Sequence, residues 1–272
     1  MKQLISLLLV TFMIISCKDQ ISSTSNSNPS TSRSKMIIDL SHDYSEETVY
    51  WVTAKEFSLD TVFAGMTEKG YYYSAFNFCT AEHGGTHIDA PIHFVENAPS
   101  VDEIPLERLI GHAIKVDVSE NAANNPDYLV SIDDLKSWET IHAKEIPEGS
   151  IVLIETGFAE YYPNRVKYLG TNERGEQAVK KLHFPGLDPE AATWLVENRN
   201  IHAIGIDTPS IDYGQSETFD SHVILLGDDI PAFENLTNLD QLPSEDFEII
   251  ALPMKIKGGS GAPLRIVAII EN

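Results

Sequence analysis

Short apolar runs recur along the chain at Met36–Leu40, His112–Val118, Ile151–Glu155, His202–Ile206, Phe247–Leu252 and Arg265–Ile270, most of them bounded by Gly, Pro, Asp or Ser. Runs of that length between turn residues predict β-strands. Helical signals fall between them. In Leu187-Asp188-Pro189-Glu190, which leads into Ala191–Asn198, Asp188 can cap free N–H groups, Pro189 suits the first helical position and Glu190 sits at the positive helix end. A second helix is expected from Ser131, with Asp133 and Asp134 in its first turn. Strands interleaved with helices predict an α/β fold, and the aromatic run Tyr71–Phe78 reads as part of an antiparallel hairpin. The expected architecture is a single domain over residues 36–272, with a mixed sheet flanked by helices.

The first 35 residues follow a different pattern. Basic Lys2, an apolar-leaning run from Leu4 to Ile15 and then Ser16-Cys17 read as a secretory signal, since a transmembrane helix needs about 20 apolar residues. Branched apolar residues and a small residue directly before Cys resemble the bacterial lipobox. The expectation is a lipoprotein signal peptide over 1–16, a lipidated Cys17, and attachment to a bacterial cell envelope through that anchor, facing the periplasm or the surface. From Lys18 to Lys35 the chain is rich in Ser, Thr and Asn and has too little apolar surface to offset its chain entropy, so 17–35 is expected to act as a tether.

The formal charge of −22 argues against nucleic acid, whose phosphates require basic patches, and favours a small-molecule partner. Beyond Cys17 the sequence has only Cys79, so no disulfide framework supports the fold.

The chain holds nine histidines, and three of them fall with an aspartate between His83 and His93, in His-Gly-Gly-Thr-His-Ile-Asp-Ala-Pro-Ile-His. Positions 83, 87, 89 and 93 are all odd, so an extended chain would project the four side chains from one face. Gly84, Gly85 and Pro91 make a helix costly there. Imidazole and carboxylate ligands suit Zn²⁺ or Mn²⁺, and two His with one Asp leave coordination positions open, which points to catalysis.

The run His83-x3-His87-x-Asp89-x-Pro91-x-His93-Phe94 resembles the hallmark of the metal-dependent cyclase family, which includes bacterial kynurenine formamidase and isatin hydrolase. The resemblance extends from about Met36 to the C-terminus and implies that family's partly barrel-like sheet. It also implies that His83, His87 and Asp89 bind metal, that His93 donates or accepts the proton, and that His222 and Glu234 complete a site for one or two ions. Trp51 matches in approximate position a tryptophan that stacks on aromatic substrate, although Val52-Thr53 stands here where family sequences often have Pro-Gly. A homo-oligomer is implied as well. Three further features are open between two readings. Asp207 fits either a substrate pocket or a turn before Thr208-Pro209, and Ser260, in a Gly-rich loop, could contact substrate or only shape a turn. Tyr71, Tyr72 and Tyr73 could wall a pocket or simply pack.

The resemblance implies hydrolysis of an aryl amide, with N-formylkynurenine as the first candidate substrate and a cyclic amide such as isatin as the alternative. In this reading the cation activates water and His93 carries its proton to the leaving nitrogen. A lipoprotein that binds metal or solute without catalysis is the reading from another class; a histidine beside the ligands that binds no metal speaks against it.

Overall fold

The computed structural model of the protein describes residues 34–271. The expected signal peptide, Cys17 and nearly all of the expected tether lie outside the described residues. Lys35, placed in the tether by its composition, opens the first strand.

Among the described residues the twelve strands are β1 (Lys35–Asp39), β2 (Ser58–Met66), β3 (Tyr72–Cys79), β4 (His87–Asp89), β5 (Ile110–Asp117), β6 (Leu129–Val130), β7 (Ile151–Glu155), β8 (Gly186–Leu187), β9 (Ala203–Ile206), β10 (Ala232–Glu234), β11 (Phe247–Pro253) and β12 (Gly261–Glu271). All six apolar runs are strands. The helices are α1 (Ser119–Asn124), α2 (Ile132–His142), α3 (Arg165–Leu169), α4 (Glu176–Val179), α5 (Pro189–Arg199) and α6 (Asp220–Gly227). Both helix starts read from the sequence are capped as expected. Ser131 and Asp134 form a reciprocal capping box at α2, and Asp188 accepts the Glu190 N–H at α5.

The main sheet runs β12-β11-β5-β7-β9-β10-β4, and β4 pairs back onto β12, which closes seven strands into a barrel with β1 added alongside β12. The β5–β7–β9–β10 stretch is parallel and the remaining pairs are antiparallel, the mixed sheet expected. The central strand explains why its sequence does not alternate. In β7 every residue is buried: Ile151 and Leu153 join the core inside the barrel, while Val152 and Ile154 join the layer covered by α2 and α5. No helix among the described residues is long and apolar enough to cross a membrane.

One element stands apart from this core. β2 and β3 form a separate two-stranded ribbon, the hairpin expected from the aromatic run, and none of its residues joins a core cluster. Tyr71, Tyr72 and Tyr73 are exposed, so they neither wall the cavity described below nor pack in the core.

Candidate metal centre

Strand alternation builds the centre. In β4, Ile88 packs into the barrel core, which turns His87 and Asp89 to the opposite face. In β10, Phe233 enters the same core and Glu234 turns outward, directly opposite His87 in the antiparallel β4–β10 register. α6 then brings His222 over the same point. The extended or bulged strand expected over His83 to His93 forms only in part: His87–Asp89 is strand, His83 lies in a loop, and Pro91–His93 is a 3-10 turn with Pro91 at its start. Two glycines permit the loop. A Cβ on Gly84 would lie 2.0 Å from the Tyr50 ring, and Gly85 has φ +55.

Hydrogen bonds assign the proton on each imidazole. His87 Nδ1 donates to the Gly85 carbonyl at 2.9 Å, so its Nε2 lone pair faces Asp89 Oδ1 at 3.3 Å and Glu234 Oε2 at 3.4 Å. His222 Nδ1 donates to buried Asp212 at 2.5 Å, and its Nε2 faces Asp89 Oδ2 at 2.9 Å and Glu234 Oε1 at 3.1 Å. His83 is turned the other way. Glu82 is an acceptor and takes the Ser260 hydroxyl proton at 2.7 Å, which leaves Ser260 Oγ to accept from His83 Nε2 at 2.9 Å. The Nδ1 of His83 lies 2.5 Å from Asp89 Oδ1, a contact that needs either a proton on Nδ1 or a shared cation between the two atoms.

Electrostatics follow from this packing. Where these imidazoles also carry a proton on the nitrogen that faces the centre, burial pushes the Asp89 carboxyl up, but the charges of His83 and His87 and hydrogen bonds from His222 and His83 outweigh it and hold the group well below its ordinary range. Glu234 is raised, first by burial and then by the charge of Asp89. Burial alone would depress His87 and His222; the surrounding carboxylates reverse this and raise both.

The donor set fits a divalent cation. His83, His87 and Asp89 form one convergent group, and Asp89, His222 and Glu234 form another, with Asp89 common to both. Bonds of about 2.0–2.2 Å to N and O place neighbouring ligands roughly 3 to 3.5 Å apart; the four separations around His87 Nε2 and His222 Nε2, 2.9 to 3.4 Å, match that spacing. Two carboxylates buried among imidazole lone pairs are otherwise poorly satisfied.

A cavity of about 320 Å³ opens onto this centre. Trp51 lines it, together with Phe94, Phe219 and Tyr50. Trp51 meets Phe219 edge-on at 6.1 Å, and Phe94 stacks on His222 at 4.7 Å, so the walls are largely aromatic. His93 also faces the cavity and stacks on His83 at 3.8 Å. Protein packed around His93 desolvates it, neighbouring imidazoles reinforce the effect against the pull of Asp89, and its pKa is lowered to about 4. It is a neutral base at pH 7.

Ser260, open in the sequence between substrate contact and turn, is not among the residues that line this cavity; it sits between His83 and Glu82 and orients a candidate ligand. Asp207 is buried away from the cavity, accepting from Thr156 N and Oγ and from Gly157 N, and so pins the turn after β7. Sequence reading missed Phe219, Asp212 and Glu82. Asp212 looks like a turn residue in Ile-Asp-Tyr-Gly, and nothing local ties it to a histidine ten positions on. Phe219 lies at φ +52, a conformation rare for a bulky residue, which only the fold reveals.

The sequence profile of the family described as "Putative cyclase" matches residues 38–213. An isatin hydrolase of Roseibium aggregatum is 32% identical over 199 residues, 70% of this chain and 73% of that protein. A kynurenine formamidase of Bordetella petrii is 32% identical over 187 residues, 68% of this chain and 75% of that one. Among solved structures, isatin hydrolase A from Ralstonia solanacearum superposes with a TM-score of 0.79 at 32% identity, covering 87% of this chain and 92% of its own. With this coverage in sequence and in structure, and with the family's histidine and aspartate motif folded into one buried centre, the chain belongs to the cyclase family of metal-dependent hydrolases.

Proposed function

We propose that the chain hydrolyses the amide bond of a small aryl amide, an N-formyl arylamine such as N-formylkynurenine, with a divalent cation held by His83, His87, Asp89, His222 and Glu234. The observation that carries this reading is the position of His93: a neutral imidazole that opens to the cavity, beside the ligands, between aromatic walls. When bound, the cation supplies Lewis acidity to the carbonyl and eases deprotonation of water. The protein handles the rest. Trp51, Phe94 and Phe219 hold the aryl ring and exclude water. His93 takes a proton from the attacking water as its oxygen bonds to the carbonyl carbon, then delivers that proton to the nitrogen as the C–N bond breaks, leaving an amine and a carboxylic acid that releases its remaining proton to solvent.

A second reading, opening of a cyclic aryl amide such as isatin, uses the same residues and is supported by the similarity to isatin hydrolases in sequence and structure. Zn²⁺ and Mn²⁺ both suit the donors, and the two groups that share Asp89 favour a site for one or two ions. The signal-like residues before Cys17 support export and lipid attachment to the cell envelope. Labelling with a radioactive fatty acid, lost in Cys17→Ser, tests that. The activity is tested by metal analysis of the purified protein, paired with assays of N-formylkynurenine and isatin before and after chelation. Turnover lost on chelation and restored by Zn²⁺ or Mn²⁺ is expected; tightly bound metal with no turnover of either substrate would overturn the aryl-amide reading.

A further inference from the structure

Two side chains in the cavity wall belong neither to the candidate ligands nor to the route of the proton. Asn235 follows Glu234 and lines the cavity. Its φ of +54° lies in the left-handed region, which Asn tolerates better than most residues. Its backbone is committed, the N–H to the Thr208 carbonyl at 2.9 Å and the carbonyl to the Thr86 hydroxyl at 2.7 Å. The side chain is held by its oxygen: the buried Tyr168 hydroxyl donates to Asn235 Oδ1 at 2.9 Å and shares that proton with the Asp207 carbonyl at 3.1 Å. That anchor turns Nδ2 away from Tyr168, and among the described residues nothing accepts from it. Asn235 is only 2% exposed, yet Nδ2 is not sealed in protein, so the space it meets is the cavity the residue lines. Ser210 stands on the same wall. Thr208, whose carbonyl holds the Asn235 N–H, also donates its hydroxyl to the Ser210 carbonyl at 2.9 Å. Ser210 Oγ accepts from the Asp212 N–H at 3.2 Å, which leaves its own proton without an acceptor among the described residues. This buried residue lines the cavity too.

We propose that Asn235 and Ser210 form a neutral donor pair that binds a second carbonyl oxygen of the substrate, carried on the ring beside the scissile amide. The inference rests on the aryl-amide reading and names the feature of the substrate that the site selects. Two donors in a buried, largely aromatic wall are costly to leave unpaired, so the molecule that fills the cavity must bring an acceptor to them. The scissile carbonyl oxygen has its partner in the cation, which leaves this pair for another oxygen. Charge decides which kind. Neither donor is charged, no residue lining the cavity is Lys or Arg, and Asp89 and Glu234 face the same space. A carboxylate placed there would be buried among like charges with no cationic side chain to meet it, whereas a ketone or aldehyde oxygen asks only for the two hydrogen bonds on offer. Position follows from the chain. Adjacent Cα atoms are about 3.8 Å apart, so Asn235 stands one residue from the candidate ligand Glu234 and reaches an acceptor close to the reacting amide, not one at the far edge of the ring.

The test compares formanilide with 2-acetylformanilide, which adds a ketone next to the formamide. Wild-type protein should prefer the ketone substrate by at least about 10-fold in kcat/KM. In Asn235→Gly, which keeps the left-handed backbone at ease, and in Ser210→Ala, that preference should fall to within about 2-fold of unity. A ratio of two substrates does not depend on the fraction of active protein, so partial misfolding of a variant cannot imitate the result. No preference in the wild type, or a preference kept by both variants while turnover of the two substrates falls alike, would overturn the proposal, the second outcome assigning the pair to the scissile carbonyl. N-formylanthranilate, with a carboxylate at the same ring position, should be a poorer substrate than formanilide; a better one would overturn the assignment to a neutral oxygen. Binding of 2-aminoacetophenone against aniline, measured by calorimetry, reads the same preference without chemistry. If neither formamide is turned over, a binding preference that the variants lose would sink the amide-hydrolase reading and leave the donor pair standing, and equal binding of the two amines would sink the pair.

Discussion

Two regions of this barrel bury carboxylates, and they do so in opposite ways. At the β4–β10 face, Asp89 and Glu234 meet mainly the lone-pair sides of imidazoles whose protons are committed elsewhere. At the C-terminal ends of β7 and β9, Asp207 is met by three fixed donors, and Glu155 is paired with the Lys115 ammonium at 2.5 Å, which also donates to the Leu239 carbonyl. The second region is a closed hydrogen-bonding system. The first is a donor set that a divalent cation would complete. Burial and charge are common to both, so neither marks a functional site; unfilled donor capacity converging on a point does.

The comparison can be tested from its strongest consequence downward. His93→Ala should lower kcat by about 10² to 10⁴ while metal content stays near that of the wild type; loss of metal instead would make His93 a ligand and enlarge the centre. Lys115→Met should leave Glu155 buried without its partner and cost about 3–5 kcal/mol of stability by chemical denaturation, with metal content unchanged in the folded fraction. If metal is lost, the two regions are coupled and the contrast fails. Asp212→Asn removes the acceptor that orients His222 and should weaken metal binding about 10- to 100-fold, read by competition with a chromogenic chelator.

The smallest effect concerns pH. Burial raises Asp207 from 3.8 to about 6, against the hydrogen bonds from Thr156. Between about pH 4 and 6 the folded state therefore binds more protons at this position than the unfolded chain does, and its contribution to stability falls as pH rises. Asp207→Asn cannot titrate, so the stability of wild type relative to the variant should shrink across that window. A difference that is flat with pH would mean that Asp207 keeps its ordinary carboxylate pKa in the fold.

Much of the fold was legible because it depends on local pattern. The apolar runs became strands, and Ser131 and Asp188 cap helices by bonding to N–H groups two or three residues away. The histidine and aspartate motif was legible because its members crowd into a short segment. The assumption that this segment stays extended failed: Gly84 and Gly85 turn the chain beneath Tyr50, and Pro91 opens a 3-10 turn that swings His93 onto His83. His222 and Glu234 were read only through resemblance, since no spacing rule shows that Glu234 will face His87 across two strands far apart in the chain. Ser260 was left open between two roles, because a loop residue gives no sign of which side chain it will meet.

Taken alone, the sequence determined the α/β character, the main strands and helix starts, the chemistry of the candidate ligands and the acidic surface, all of which follow from residue type and short-range spacing. Only the tertiary structure decided which face of β4 meets β10, which nitrogen each histidine presents, where Asp212 and Phe219 arrive, and that the aromatic ribbon stands outside the core. Those outcomes depend on barrel closure, which brings together residues from distant parts of the chain, and no local property of the chain encodes that meeting.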